Sequence, residues 1–393
     1  MANDFTGIST ACGPSRKEPL LKEAVLKEPL PGGATDRSYG QAGLLSSVLR
    51  YGEVMATRVA VIGAGSWGTT AASLASCNVA TVLWARSKEL ADDMADCHVN
   101  RRYMPEYVFH ARLQVTSSLP EALEGADVVV MAVPSHGFRQ VLTEAAPDIP
   151  AGAPVVSLSK GLEQASFKRM SEVVAEVVPG HPTGVLSGPN LAKEIMAGRP
   201  AATVVAMTDE AVGDDLQALF TTPSFRVYTN PDVVGCEIAG ALKNVMALAA
   251  GMSDGMGLGD NTKAALMTRG LAELTRLGVA LGGNPLTFGG LAGMGDLVAT
   301  CMSRQSRNRS VGEELGKGRH IDDIIAEMNM VAEGVKTSRA AVELGRRLGL
   351  ELPITEQVAG VVNGSRTAAD VIPALMQRHT RPELYGIDGG NQP

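Results

Sequence analysis

The sequence predicts an α/β protein in which a doubly wound sheet is followed by an all-helical C-terminal domain. Three observations predict this architecture: a glycine-rich turn at 63–68, short valine-rich runs that recur between residues 59 and 206, and helical periodicity after Pro231. A chain of 393 residues also exceeds what one hydrophobic core usually absorbs. We therefore expect four segments: an extension over 1–55, a sheet domain over 56–230, a helical domain over 231–380 and a tail over 381–393.

The N-terminal extension is predicted to be disordered. Residues 1–51 are rich in Pro, Gly, Ser and charged residues, and the tetrapeptide Lys-Glu-Pro-Leu occurs twice, at 17–20 and 27–30. Proline breaks helices at these positions, and the segment carries no signal of a packed core. The alternative is that the segment results from an upstream start codon. We expect no function there.

The sheet domain opens with a short apolar strand at 59–62 that runs into Gly63-x-Gly65-x-x-Gly68 and then into a helix-compatible segment. Gly63 permits the tight turn, Gly65 lets a pyrophosphate approach the backbone, and Gly68 lets the helix pack closely on the sheet. Such a turn alone is weak evidence, but a second apolar strand at 80–84 follows at the distance typical of a βαβ unit. The segment therefore predicts a Rossmann-type dinucleotide site.

The end of the second strand bears on the choice of dinucleotide. An acidic residue is expected about 20 residues beyond the glycines of an NAD site, and Arg86 stands there instead. A guanidinium would bind the 2′-phosphate of NADP by charge-assisted hydrogen bonds. We expect NADP to be at least tolerated. The alternative is an ordinary exposed arginine after a strand.

Four further apolar runs fit strands of a parallel sheet that is covered on both faces: 128–133, 155–158, 184–186 and 202–206. Ligands bind beyond the carboxyl ends of parallel strands, so the residues that follow these runs are candidates. Lys160 follows the second of them, where it would serve a phosphate or a substrate oxygen.

The helical domain begins near Asn230-Pro231-Asp232. Its apolar stretch 233–252 is interrupted by Glu237, Lys243 and Asn244, which would be costly in a bilayer, so we expect a buried helix and no transmembrane segment. Ala, Leu and Val flank Lys243, and desolvation there would lower its pKa toward that of a base near neutral pH. The alternative is a lysine that reaches solvent at the helix surface.

Two later polar clusters fit this chemistry. Glycines precede Asp296, whose carboxylate is suited to orienting a lysine ammonium. Arg307 with Asn308 is suited to binding a phosphate by charge-assisted hydrogen bonds. The alternative for the run 305–309 is a solvated basic loop.

The composition excludes several classes. A net charge of −7 argues against a general nucleic-acid binder. Five cysteines without C-x-x-C spacing indicate reduced thiols, with neither a disulfide framework nor a zinc site, and the histidines lack metal-ligand spacing. No segment resembles a signal peptide. We expect a cytoplasmic protein that holds no metal.

The motifs, taken in order, carry a resemblance to a known family. They are GAGSWGT, SKGLE, LSGPN, FRVYTNPDVVGCEIAGALKNV, GGNPLTFGGLAGMGDL, SRNR and VAEGVKT. The chain from Arg58 to about Arg378 resembles the soluble NAD(P)-dependent glycerol-3-phosphate dehydrogenases of bacteria. So many motifs in one order make the resemblance highly specific.

The resemblance implies the roles of individual residues. Lys243 would be the proton acceptor and would contact the substrate, and Lys160 would contact both cofactor and substrate. The other cofactor contacts that it implies are Ser66, Trp67, Arg86, Ala192, Arg307, Val331 and Glu333. The other substrate contacts that it implies are Gly188, Asn190, Asp296, Ser306, Arg307 and Asn308.

The activity that the resemblance implies is reversible hydride transfer between NAD or NADP and sn-glycerol 3-phosphate. The product is dihydroxyacetone phosphate, and the reverse direction supplies the glycerol backbone of phospholipids. The alternatives are a β-hydroxyacid or ketopantoate-type reductase, which would recognise a carboxylate, and a non-catalytic dinucleotide-binding regulator. Lys243, Asp296 and Arg307 argue against the regulator. A homodimer is compatible with the sequence, which does not determine the oligomeric state.

Overall fold

The computed structural model describes residues 58–328, 332–380 and 382–383. The expected extension over 1–55 therefore lies outside the described residues, as does all but two residues of the expected tail.

Eight strands form one sheet in the spatial order β3-β2-β1-β4-β5-β6-β7-β8. Their bounds are β1 Arg58–Ile62, β2 Ala80–Trp84, β3 Leu113–Thr116, β4 Val128–Met131, β5 Val155–Ser157, β6 Thr183–Ser187, β7 Ala201–Met207 and β8 Phe225–Asn230. Neighbours from β3 to β6 are parallel, β7 runs antiparallel to β6, and β8 is parallel to β7. The predicted fold class is confirmed.

Helices connect the strands and then form the C-terminal domain. Those within the sheet domain are α1 Ser66–Ser76, α2 Lys88–Cys97, α3 Leu119–Leu123, α4 Ser135–Ala145, α5 Met170–Val177, α6 Ala192–Met196 and α7 Glu210–Phe220, with a 3₁₀ turn at Ala146–Asp148. Those that follow are α8 Val233–Gly255, α9 Asp260–Ala280, α10 Pro285–Phe288, α11 Asp296–Met302, α12 Arg307–Gly316, α13 Ile321–Ala326, α14 Glu333–Arg347, α15 Pro353–Val362 and α16 Ala368–Met376. A π-helical turn, Leu291–Gly295, precedes α11.

The central strands are buried on both faces because their side chains alternate between two apolar layers. Val59 and Val61 of β1 pack into one layer, and Ala60 and Ile62 pack into the other. Strands covered in this way carry continuous apolar runs, which is the pattern seen in the sequence.

The strand order creates a crevice at the carboxyl ends of the central strands. β1 lies between β2 and β4, so the chain winds toward one side through β2 and β3 and then toward the other side from β4 onward. At such a switch point the loops beyond the carboxyl ends of the two strands separate and leave room for a ligand. Here those loops follow Ile62 of β1 and Met131 of β4.

Two strands and one strand direction were not predicted. β3 and β8 are the two edge strands of the sheet, and in each of them exposed residues interrupt the buried ones, so neither shows the continuous apolar run of the central strands. A valine-rich run carries no information about strand direction, which is why the antiparallel β7 was expected to be parallel.

The helical domain is built around α8. Asp232 caps its first turn by accepting a hydrogen bond from the Gly235 amide at 2.8 Å, and α9, α11, α12, α14 and α15 pack against it. Among the described helices, α8 alone is long and apolar enough to cross a membrane, but 89% of its most apolar window is buried inside the protein. It is therefore the core helix of this domain. The expected domain boundary at Pro231 lies between the end of β8 and the start of α8.

Candidate active site

The glycine-rich turn has the geometry of an anion cradle. Gly63 has a φ of +118°, and a methyl group there would come within 2.7 Å of the Ala132 carbonyl oxygen. A methyl group on Gly68 would come within 1.9 Å of the Gly63 carbonyl oxygen, whereas one on Gly65 would meet no atom within 4 Å. The first turn of α1 has no side-chain cap and no acidic residue. Its free N–H groups and the helix dipole therefore suit a phosphate group beside Gly65.

Hydrogen bonds from neighbouring residues hold the glycine-rich turn, and the guanidinium of Arg86 follows the adjacent strand. The buried side chain of Asn100 donates to the Ala64 carbonyl oxygen at 2.9 Å, and the Ser66 hydroxyl donates to the Tyr103 carbonyl oxygen at 3.5 Å. Arg86 follows β2, which pairs with β1 beside the turn. Its exposed guanidinium makes no hydrogen bond or ion pair with any described residue, so it is free to bind an external anion.

Apart from the glycine-rich turn, a second cluster of polar groups surrounds Lys243 in the helical domain. The Lys243 side chain is buried in α8, 8% exposed, and its ammonium donates to Asp296 Oδ1 and, at 2.7 Å, to the Thr300 hydroxyl. Burial lowers the pKa of Lys243 from 10.5 to about 8. Asp296 opposes this shift, and the Lys160 ammonium adds to it. The structure therefore excludes a lysine that reaches bulk solvent at the helix surface.

Asp296 joins two ammonium groups from the two domains. Its carboxylate, 2% exposed, accepts from Lys243 through Oδ1 and from Lys160 through Oδ2 at 2.6 Å. Lys160 follows β5 and also donates to the Gly188 carbonyl oxygen at 2.8 Å. The side chains of Lys160 and Lys243 are thus brought together where the carboxyl ends of β5 and β6 face α8.

A chain of amides lies behind the two lysines. Asn244 donates to the Lys160 carbonyl oxygen at 2.9 Å and accepts from the Asn308 side chain at 2.9 Å. Asn308 in turn accepts from the Gly334 amide at 2.9 Å. These hydrogen bonds fix α12 and α14 relative to α8 and to Lys160.

The run 305–309 is the start of α12, where Ser306 caps the helix by accepting from the Arg309 amide at 3.3 Å. Arg307 is exposed at the first helical position, and Arg309 pairs with Asp254 at 2.6 Å. The alternative of a solvated basic loop therefore does not hold for Arg309. The first turn of α12 presents N–H groups and one exposed guanidinium, which is an arrangement suited to a phosphate.

Glycines set how closely α12 approaches α8. A methyl group on Gly251 would come within 2.0 Å of the Arg309 carbonyl oxygen, and one on Gly312 within 2.0 Å of the Leu248 carbonyl oxygen. The two helices therefore touch backbone to backbone. This contact fixes the distance between the first turn of α12 and the residues of α8.

The loop after β6 contributes polar groups that lack partners. Both amide atoms of Asn190 are buried without a hydrogen bond within the described part of the chain, as is Trp67 Nε1 beside the glycine-rich turn. Gly188 has a φ of +152°, and a methyl group there would come within 2.9 Å of the Thr203 hydroxyl. Ala192 begins α6, which packs on α1. Buried polar atoms without partners are rare, so these atoms are candidates for contact with a ligand.

Glu333 connects the crevice of the sheet with the cations of the helical domain. Its Oε1 accepts from the Ser135 amide at 3.3 Å, at the start of α4 beyond β4. Burial raises the pKa of Glu333. The Ser135 hydrogen bond and the positive charges of Arg307, Lys243 and Lys160 act in the opposite direction. Val331, the other implied cofactor residue of this segment, lies outside the described residues.

Two residues of this arrangement received no role from the sequence. Asn244 is a polar interruption of the apolar stretch 233–252, and Thr300 follows Asp296 by four residues. The available signal was the spacing from Asp296 to Thr300, because residues four apart share one face of a helix. For Asn244 the signal was a polar residue within a buried helix, where an amide needs a partner.

The chain is similar to proteins of one family along most of its length. Two family models match it: NAD-dependent glycerol-3-phosphate dehydrogenase N-terminus over residues 58–213, and NAD-dependent glycerol-3-phosphate dehydrogenase C-terminus over residues 232–373. A glycerol-3-phosphate dehydrogenase (NAD(P)+) of Sphingopyxis alaskensis is 56% identical over 331 residues, which make up 84% of this chain and 99% of that protein.

Solved structures are also similar to this chain along most of its length. The crystal structure of glycerol-3-phosphate dehydrogenase from Coxiella burnetii is similar with a TM-score of 0.78 at 37% identity, and the match covers 82% of this chain and 99% of that one. A ketopantoate reductase from Ralstonia eutropha has a TM-score of 0.52 at 17% identity, over 78% of this chain and 97% of that one. At that identity the likeness concerns the fold alone.

Proposed function

The chain belongs to the NAD-dependent glycerol-3-phosphate dehydrogenase family, and from that premise we propose that it transfers hydride reversibly between NADPH or NADH and dihydroxyacetone phosphate. The product of reduction is sn-glycerol 3-phosphate. The observation that carries the proposal is the buried pair of ammonium groups on Asp296, which lies where the carboxyl ends of the strands face α8. When bound, the reduced nicotinamide supplies the hydride.

The residues that would hold the dinucleotide lie along the switch-point crevice. The N–H groups at Ser66, Trp67 and Gly68 would bind the pyrophosphate, and the open space beside Gly65 would admit it. Arg86 would bind a 2′-phosphate. The nicotinamide end would then lie toward these residues: Lys160, Asn190, Ala192, Arg307 and Glu333.

Lys243 moves the proton in this mechanism. With a pKa of about 8 it is mostly an ammonium ion at pH 7, so in reduction it donates a proton to the oxygen at C2 of the substrate as that oxygen gains charge. In oxidation the neutral amine takes the hydroxyl proton. Asp296 and Thr300 hold the nitrogen in place in both directions. Lys160 adds a second positive charge on the same side, which stabilises the developing oxyanion.

The phosphate of the substrate would lie at the first turn of α12. We assign its binding to the Arg307 guanidinium and the backbone N–H of Asn308. The Asn308 side chain is already engaged, with Asn244 and Gly334. Ser306 orders the turn as its N-cap. Gly188 and Asn190 would line the opposite wall, where the unpartnered Asn190 amide is suited to a substrate hydroxyl.

We further propose a cytoplasmic enzyme that supplies glycerol 3-phosphate for phospholipid synthesis. The four cysteines in the described part of the chain are free, which suits a reducing compartment; Cys12 lies outside that part.

The experiment that tests the function measures absorbance at 340 nm with NADPH and three acceptors at equal concentration. Dihydroxyacetone phosphate should be reduced, whereas dihydroxyacetone tests the need for the phosphate and ketopantoate tests the carboxylate-recognising alternative. Turnover of ketopantoate in preference to dihydroxyacetone phosphate would reject the proposal. Absence of turnover with all three, in a protein that still binds NADPH, would favour a regulator.

A further inference from the structure

We propose that Glu237 is a positioning residue for Lys160, because it ties the far end of the loop that carries Lys160 to the helix that carries Lys243. The segment 158–169, between β5 and α5, is called here the Lys160 loop. The inference rests on the role given to Lys160 in the proposed function. No step of the proposed mechanism otherwise uses Glu237.

The near end of the Lys160 loop is tied to α8 by Asn244. Its side-chain amide donates to the Lys160 carbonyl oxygen at 2.9 Å, so it holds the backbone and leaves the ammonium free to reach Asp296.

The far end of the loop is tied to α8 by Glu237. Its carboxylate, 5% exposed, accepts from Arg169 Nη1 at 2.9 Å, from the Ser171 amide at 2.8 Å and from the Ser171 hydroxyl at 2.5 Å. Burial raises the pKa of Glu237, and the positive charge of Arg169 and the hydrogen bonds from Ser171 and Arg169 oppose that shift. The end of the Lys160 loop and the first turn of α5 are therefore held by one side chain of the helical domain.

The two ties lie on the same face of α8. Glu237 and Asn244 are seven residues apart, which is about two turns and roughly 10 Å along a helix. Gly240 lies between them on that face, and a methyl group there would come within 3.5 Å of Lys160 Cγ. The aliphatic part of the Lys160 side chain therefore crosses α8 between Glu237 and Asn244.

The loop needs such ties because it is irregular and carries a charge toward a like charge. The segment contains no helix or strand, and Lys160 shares one carboxylate with the Lys243 ammonium. Two like charges this close repel each other. Restraint of the loop at both ends keeps the Lys160 ammonium on Asp296 in spite of that repulsion. Loss of the far tie should let the loop, and with it Lys160, move away from Asp296.

The test compares Glu237→Gln with Glu172→Gln. Glu172 is a matched control because its carboxylate also contacts Arg169, with the guanidinium at 3.4 Å and the backbone amide at 2.8 Å, but it belongs to α5 and makes no tie to α8. The first readout uses no substrate: lysines are acylated briefly, and mass spectrometry gives the labelling of Lys160 relative to the exposed Lys88. We expect that ratio to rise roughly threefold or more in Glu237→Gln, because local opening exposes the amine, and to stay unchanged in Glu172→Gln.

The second readout is a double-mutant cycle on kcat for dihydroxyacetone phosphate reduction. Glu237→Gln should lower kcat by about 10-fold or more with little change in the Kd for NADPH, since misplacement of a positioned group has effects of this order. In a Lys160→Met background the same substitution should have almost no further effect, because residues that act through one group are not additive.

Two results would overturn the inference: unchanged Lys160 labelling in folded Glu237→Gln, or an equal loss of kcat with and without Lys160. If Lys160→Met alone leaves kcat unchanged, the catalytic role of Lys160 fails, and the labelling ratio still decides whether Glu237 positions it. If Glu237→Gln does not fold, Ser171→Ala removes one of the three hydrogen bonds and is judged by the same two readouts. A null result there would equally overturn the inference.

Discussion

Replacement of Asp296 by Asn should shift the pH at which reduction is lost. Asp296 is the carboxylate that Lys243 and Lys160 share, and both ion pairs are almost completely buried. Opposite charges about 4 Å apart attract by about 4 kcal/mol at an effective dielectric constant of about 20, which corresponds to roughly three pKa units. Asn keeps the shape of the side chain and removes that attraction. The pKa of Lys243, about 8 in the wild type, should therefore fall to about 6 or below even if solvent offsets part of the loss.

The sign of the effect follows from the direction of the reaction. Reduction requires the Lys243 ammonium, so kcat/KM for dihydroxyacetone phosphate, which reports the enzyme before this substrate binds, declines as pH rises through the pKa of that group. The wild type should lose activity between about pH 7 and 9 around its pKa, and Asp296→Asn should already have lost most of it at pH 7. The other groups that face Lys243 are Cys301 from α11, Lys160, and Glu333 from α14. The Asp296→Asn substitution leaves all three in place.

The assay is the pH dependence of kcat/KM for dihydroxyacetone phosphate reduction at saturating NADPH. Asp232→Asn is the control, because it removes a carboxylate from the N-cap of the same helix and leaves a residue that caps equally well. Its profile should match the wild type. An Asp296→Asn profile with the wild-type midpoint would refute the coupling between Asp296 and the group that titrates.

Three further outcomes are expected. Arg86→Ala should weaken binding of NADPH, measured by fluorescence titration, by about 1.5–3 kcal/mol more than binding of NADH; equal losses would make Arg86 a structural residue. Arg307→Ala should lower kcat/KM for dihydroxyacetone phosphate by at least about 100-fold and hardly change the slow rate with dihydroxyacetone, after correction for NADPH binding; a parallel loss for both would remove the phosphate role. Gly312→Ala should lower Tm by several degrees, because its methyl group would meet the Leu248 carbonyl oxygen at 2.0 Å, whereas the control Gly137→Ala makes only a 3.6 Å contact and should be neutral or stabilising. Equal Tm values for the two glycine variants would contradict the backbone contact between α8 and α12.

The sequence alone predicted those strands whose hydrophobic pattern matches their burial in the sheet. β1 and its neighbours are covered on both faces, so their apolar runs could be recognised directly. β8 could not be recognised in this way, because an edge strand is buried on one side and its residues alternate in exposure. The direction of β7 depends on pairing with β6 across the sheet, which no short segment encodes.

The candidate site shows the same division. The spacing of Gly63 and Gly68 follows from local backbone geometry and could be predicted from the turn alone. The tie from Glu237 to Arg169 and Ser171 joins residues 66 and 68 positions apart, so it appears only when the two domains are in place. A glutamate in an apolar helix indicated a buried polar partner but gave no information about which segment supplies it.

The most direct test of the central claim, that Lys243 transfers the proton, combines turnover and NADPH binding in Lys243→Met. Methionine keeps the apolar stem, and Asp296 retains its ion pair with Lys160, so the fold should persist. The account predicts that kcat for dihydroxyacetone phosphate reduction falls by roughly 10²–10⁴ while the Kd for NADPH changes little. Turnover near the wild-type value in a protein that binds NADPH normally would contradict the claim.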